Sequence, residues 1–138
     1  MVDYSDLQPG FELPEHRQGP ITRGMLALFA GASNDHVLLH IDSDFAKSAG
    51  MEDVFAHGML SMAYLAQVIT HWIPQERLLN WQVRFTAITP LYATVKCTGE
   101  VIEILQEAGE RRARLRIRCT TDRGVATLEG EALVNINE

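Results

Sequence analysis

The chain has 138 residues, 46% hydrophobic and 22% charged, which provides for a substantial core and excludes a disordered chain. A formal net charge of −6 argues against a nucleic-acid binder, which needs a basic footprint. The length suits one domain over 1–138, and the acidic, polar Met1–Gly10 lacks the apolar core of a signal peptide, so a cytoplasmic protein is expected.

Pro9, Gly10, Pro14, Gly19 and Pro20 make the first 20 residues an extended lead-in, with one short strand expected around Phe11–Leu13. Thr22 is placed to cap a helix from Arg23 to Ala30, whose Met25, Leu26, Leu28 and Phe29 pack one side and which Gly31 ends. Ala32 to Leu39 shows no clean period and reads as a loop. Phe45 to Ala49, closed by Gly50, reads as a short helix.

From Val54 to Gln75 there is no Asp, Glu, Lys or Arg in 22 positions. Met59 to Trp72 reads as a helix that is apolar nearly all round and is stopped by Pro74. It is shorter than the ~20 apolar residues a membrane span requires, and it carries Gln67 and His71. A central helix buried in its own domain is the reading, with no membrane partner.

After Pro74 the period changes to two. Leu79, Trp81, Val83 and Phe85 alternate with polar neighbours, as do Val95, Cys97, Gly99 and Val101, with a slip of phase near Ile102 and Ile104 that predicts a bulge. Ala113, Leu115, Ile117 and Cys119 alternate with arginines, and a last strand runs from Ala126 to Val134 after a tight turn at Asp122-Arg123-Gly124. Short links imply antiparallel pairing of consecutive strands. One apolar helix and one sheet with a single apolar face must bury each other, giving an α+β architecture with an antiparallel sheet wrapped around a central helix.

Chemistry concentrates in two places. Asp35 and His40 are five apart, a spacing that separates them on a helix but lets them converge in a turn, where a carboxylate orients an imidazole for proton transfer. The plainer alternative is an Asx-turn aspartate beside a partly buried histidine. His57-Gly58-Met59-Leu60 opens the central helix, and its N-terminal amides and dipole favour a developing negative charge; the plainer alternative is a glycine at a helix start with a histidine cap. His36 and His40 have the spacing of a zinc pair on a helix, but the segment has neither helical period nor third ligand, so no metal is expected.

The arginines Arg112, Arg114, Arg116 and Arg118 form one row, read as a solvated face paired with Glu100, Glu129 and Glu131 on neighbouring strands. Met25, Met59 and Met62 read as core filler. Cys97 and Cys119 fall on apolar strand faces and read as buried free thiols.

The run Asn34-Asp35-His36-Val37-Leu38-Leu39-His40, then Ile41-Asp42, Phe45-Ala46 and Ala56-His57-Gly58-Met59-Leu60, resembles the MaoC-like family of (R)-specific enoyl-CoA hydratases and (3R)-hydroxyacyl thioester dehydratases. The similarity covers residues 5–135, and Val83-Arg84-Phe85 followed by Pro90 resembles the strand after the family's helix. The resemblance implies a hot-dog fold and Asp35 and His40 as the catalytic pair. It also implies an oxyanion and substrate-binding position at Gly58, flanked by His57 and Met59. It implies an acyl-CoA or acyl-carrier-protein thioester as substrate, no cofactor, and a homodimer, with a heterodimer as the other assembly. Val37 and Leu38 stand where the family usually has Asn and Pro, and Asn34 replaces a common Gly or Glu. The competing functions are an accessory subunit of a heteromeric dehydratase and a hot-dog thioesterase. The latter typically uses an acidic residue on the central helix, absent between Val54 and Gln75.

Overall fold

The computed structural model describes residues 3–137; Met1, Val2 and Glu138, the ends of the unit expected over 1–138, lie outside the described residues. Five strands form one antiparallel sheet: β1 (His16–Gln18), β2 (Leu78–Phe85), β3 (Val95–Glu107), β4 (Glu110–Thr121) and β5 (Ala126–Asn135), in the order β1-β3-β4-β5-β2. Among the described residues four α-helices precede β2, α1 (Arg23–Ser33), α2 (Leu38–Ile41), α3 (Ser43–Ser48) and α4 (Gly58–Thr70), with one 3-10 turn at Gln75–Arg77.

The alternation read from the sequence sets the buried face. Val95, Cys97, Val101, Ala113, Leu115, Ile117 and Cys119 are all fully buried, against Leu65, Val68 and Ile69 of α4. Each Val, Leu or Ile side chain among them removed from water contributes roughly 1.5–3 kcal/mol, which is why the helix and the sheet's inner face find each other. The outer face carries the ion pairs Arg116–Glu100, Arg118–Glu129, and Arg114 with both Glu131 and Glu103. Glu103 was not among the partners expected; it reaches Arg114 because the register shifts between Val101 and Glu103, the bulge predicted near Ile102.

Several expectations are corrected. β2 pairs with β5 at the far edge, not with the next strand β3, because Thr86 to Thr94 carries the chain across the sheet through Pro90 and Tyr92, the latter at φ 65°. The lead-in strand is His16–Gln18 paired with β3; Phe11–Leu13 contributes only an isolated bridge, Glu12 to Glu100. Helix α1 continues past Gly31 to Ser33 and ends at Asn34, which takes the left-handed conformation (φ 59°) that a C-terminal cap uses. Part of the expected loop 32–39 is helical, since α2 begins at Leu38. Met59 is 56% exposed, so it is not core filler, whereas Met25 and Met62 do pack against the core. Cys97 and Cys119 face each other as buried free thiols, Sγ to Sγ 3.6 Å, and the contact with Cys119 together with burial pushes the Cys97 thiol up.

Candidate active site

Two backbone devices shape the segment that carries Asp35 and His40. The left-handed Asn34 turns the chain out of α1, and Asp35 then accepts the Val37 N–H on its own carboxylate at 3.3 Å, an Asx turn. Asp42 caps α3 by accepting the Phe45 N–H at 3.0 Å, which ends the turn of helix holding His40. The Asx turn is the plainer reading of Asp35, and it coexists with the convergent one.

His40 and Asp35 do approach. One carboxylate oxygen of Asp35, one ring nitrogen of His40 and one of His57 all lie within 4.8 Å of one another. Both Asp35 and His40 are half-buried. His40 Nδ1 lies 2.8 Å from the Phe55 carbonyl oxygen. A carbonyl only accepts, so Nδ1 carries the proton and Nε2 keeps its lone pair. Phe55 is itself fixed: its N–H donates to the Leu39 carbonyl, it bridges to Pro90, and the next amide, Ala56, donates to Thr89.

His57 is 1% exposed. Its side chain makes no cap bond to α4, which corrects the reading of a histidine cap. Instead Nε2 lies 3.0 Å from the Asp35 carbonyl oxygen, and the ring stacks on His40 with centroids 4.1 Å apart. Burial pushes the His57 imidazole toward its neutral form, against the pull of the Asp35 carbonyl and with that of nearby His40.

Gly58 is the first residue of α4, so its amide and the next lack acceptors within the helix. A Cβ at Gly58 would stand 2.8 Å from Cε1 of Phe85. The half-exposed ring of Phe85 thus lies against the helix start, where a Cβ would force it to move. Buried Ser61, one turn on, sits 3.3 Å from the Thr89 hydroxyl. Sequence reading missed Phe55, Phe85, Thr89 and Ser61, which act through a backbone carbonyl, ring shape and a buried hydroxyl pair that no motif announces.

His36 is exposed and lies outside this cluster. Asp35, His40 and His57 have donor atoms suited to an ion, but the two imidazoles stack with their planes 27° apart. One nitrogen of each ring is already engaged by a backbone carbonyl, His40 Nδ1 by Phe55 and His57 Nε2 by Asp35. A concavity of about 740 Å³ lies instead on the outer face of the sheet, lined by Arg84, Arg116, Arg118, Glu129 and Glu131. Its charges largely neutralise one another, and neither Asp35, His40 nor His57 lines it.

Among known proteins, the family described as MaoC like domain matches residues 7–121. An (R)-specific enoyl-CoA hydratase of Rhodospirillum rubrum is 30% identical over 118 residues, covering 84% of this chain and 80% of that protein. One of the same name from Aeromonas caviae is 26% identical over 111 residues, 80% of this chain and 83% of that protein. The solved R-hydratase PhaJ1 of Pseudomonas aeruginosa superposes with a TM-score of 0.85 at 29% identity, covering 99% of this chain and 87% of that one. The architecture shared with such structures is the hot-dog fold.

Proposed function

The chain belongs to the MaoC-like family, and on that premise we propose that it catalyses reversible addition of water to trans-2-enoyl thioesters, giving (3R)-3-hydroxyacyl thioesters. The observation that carries this reading is the convergence, within 4.8 Å, of an Asp35 carboxylate oxygen and a His40 ring nitrogen beside the uncapped start of α4. Relatives named (R)-specific enoyl-CoA hydratase that cover most of this chain support it.

In this mechanism the Asp35 carboxylate and His40 Nε2 hold one water between them. The pair removes one proton from that water, its oxygen bonds to C3, and the electrons move through C2 to the thioester oxygen. The Gly58 amide, with His57 and Met59 flanking it, faces the oxygen that becomes negative; losing such a donor costs about 2.7–4 kcal/mol in the barrier. The proton then returns to C2 on the same face, and the thioester carbonyl re-forms. Every atom of water ends in the product. No cofactor takes part.

The whole of 1–138 acts as one hot-dog unit in the cytoplasm on acyl-CoA or acyl-carrier-protein thioesters, as part of lipid metabolism. No helix is long and apolar enough to cross a membrane among the described residues. The working assembly is a homodimer: Val37, Leu38, Ile41 and Phe45 leave apolar surface uncovered next to the site. The test is to follow loss of enoyl-thioester absorbance with the purified chain across acyl lengths and both carriers. Hydration by the chain alone is the expected result. Silence across the panel, with activity restored by a second MaoC-like chain, would assign the accessory role instead. Release of free thiol from acyl-CoA would assign a thioesterase.

A further inference from the structure

His57 has more contacts with the acid–base pair than its place in a helix-start motif requires. It belongs to neither the loop after α1 nor α2, yet it touches Asp35 in the one and His40 in the other. Its Nε2 meets the Asp35 carbonyl oxygen at 3.0 Å, and its ring lies on His40 at 4.1 Å. The ring's other side is closed by Phe29, centroids 4.9 Å apart at 65°. Nδ1 is buried with no partner among the described residues. The chain gives it no freedom to be elsewhere, at 1% exposure.

The hydrogen-bond roles follow from these contacts. A carbonyl oxygen can only accept, so His57 Nε2 must carry hydrogen. A second proton on Nδ1 would bury an N–H without an acceptor and set a charge against the stacked His40, while a bare lone pair there costs far less. The ring is thus the neutral Nε2–H tautomer. The groups around it (Asp35, His40 and, farther out, His36) include one carboxylate and two imidazoles, and burial is the dominant influence.

We infer that His57 is a positioning residue for the hydration reaction: one N–H pins the backbone of Asp35, and one ring face fixes the plane of His40, so that a single side chain sets both halves of the pair. The inference rests on the hydratase reading above. Its physical basis is that a loop residue and a residue on a four-residue helix have little rigidity of their own, while α4 is anchored in the core. Fixing both to the start of α4 also fixes them relative to the Gly58 amide.

The two contacts separate by substitution. His57→Phe keeps a ring to stack but removes the donor; His57→Gln keeps an amide donor but removes the ring. With a thioester that the wild type hydrates, His57→Phe is expected to lower kcat at least about tenfold with KM within about twofold, since misplacement acts on the chemical step. His57→Gln is expected to regain part of kcat at an equal thermal midpoint. Long-range 1H–15N spectra of the substrate-free wild type should show the His57 Nε2–H tautomer, and the Asp35 carbonyl carbon shift should move in His57→Phe and return in His57→Gln. Wild-type kcat in His57→Phe, or equal losses in both variants that track the thermal midpoint, would overturn the inference, as would an Nδ1–H tautomer. Absence of hydration by the wild type would count against the hydratase reading, and the spectra would still decide the placement of His57.

Discussion

His40 donates from Nδ1 to the carbonyl oxygen of Phe55 across 2.8 Å, which leaves Nε2 as the basic nitrogen. The two roles can be divided by substitution. Asparagine at 40 can still offer an N–H near the Phe55 carbonyl but has no nitrogen able to take a proton. His40→Asn is expected to lower kcat/KM at least about a hundredfold while its thermal midpoint stays close to wild type. His40→Ala loses the Phe55 bond as well and is expected to be equally inactive but less stable. Hydration rates and thermal unfolding of the two variants check this together; a variant at position 40 with near wild-type rates would refute the role of the imidazole.

Asp35 admits a parallel argument. Its carboxylate accepts the Val37 N–H, and an asparagine oxygen accepts equally well, so the turn survives the change. Asp35→Asn is expected to fold normally and to lose at least about a hundredfold in hydration rate, because the charge proposed to hold and activate water is gone. Circular dichroism and the absorbance assay supply the two readings. Retained activity would leave Asp35 with its turn alone.

Much of this arrangement was legible because it follows from periodicity. The alternation Val95-Cys97-Gly99-Val101 told which strand face is buried, and its slip near Ile102 appears as the register shift that delivers Glu103 to Arg114. Other features have no periodic signature. A four-residue helix such as α2 offers one turn, too short for a pattern to show. The bonds from His40 to Phe55 and from His57 to Asp35 end on backbone carbonyls, which every residue possesses, so side-chain identity does not announce them. The pairing of β2 with β5 is set by how the chain crosses the sheet after Phe85, a matter of overall topology. Met59 carries an apolar side chain on an apolar helix and still emerges at 56% exposure, while its neighbours Leu60 and Ser61 are buried.

Gly58 faces Phe85 at a distance that excludes a Cβ, 2.8 Å to Cε1 and 3.1 Å to Cδ1. Phe85 is half-exposed and its ring can swing away, and alanine is a better helix former than glycine. Gly58→Ala is therefore expected to leave the thermal midpoint within a few degrees of wild type. The new methyl group and the displaced ring stand beside the amide assigned to the thioester oxygen, so kcat/KM is expected to fall at least about tenfold. An unchanged rate would move the oxyanion position away from this end of α4.

Gly130 presents the opposite case, where the obstacle is backbone. It pairs with Val83 on one side and Ile117 on the other, and a Cβ there would stand 2.8 Å from the Val83 Cα, with the Gln82 carbonyl closer still. Main chain of β2 cannot rotate aside. Gly130→Ala is expected to destabilise the protein by about 1–3 kcal/mol or more by prying β2 from β5. Urea unfolding would register it as a lower midpoint, and hydrogen exchange as faster exchange confined to β2. Uniform protection with an unchanged midpoint would contradict the close approach of the two strands.

Asp53 holds the start of α1 to the chain before α4. It receives both terminal nitrogens of Arg23, at 2.5 and 3.0 Å, the Ser43 hydroxyl at 2.8 Å and the Val54 N–H at 2.8 Å. The Arg23 bond, then those of Ser43 and Val54, hold its carboxyl well below the usual carboxylate range. In the unfolded chain an aspartate titrates near 3.9. Because the folded value is the lower one, the bond network favours folding above about pH 4, and that contribution fades as pH falls through the depressed folded value. Asp53→Asn removes the charge and with it this dependence. The wild type is expected to have a higher urea midpoint than the variant at about pH 7, with the gap narrowing at about pH 3. A gap of equal size at both pH values would show that the carboxylate's charge contributes nothing to the connection between α1 and α4.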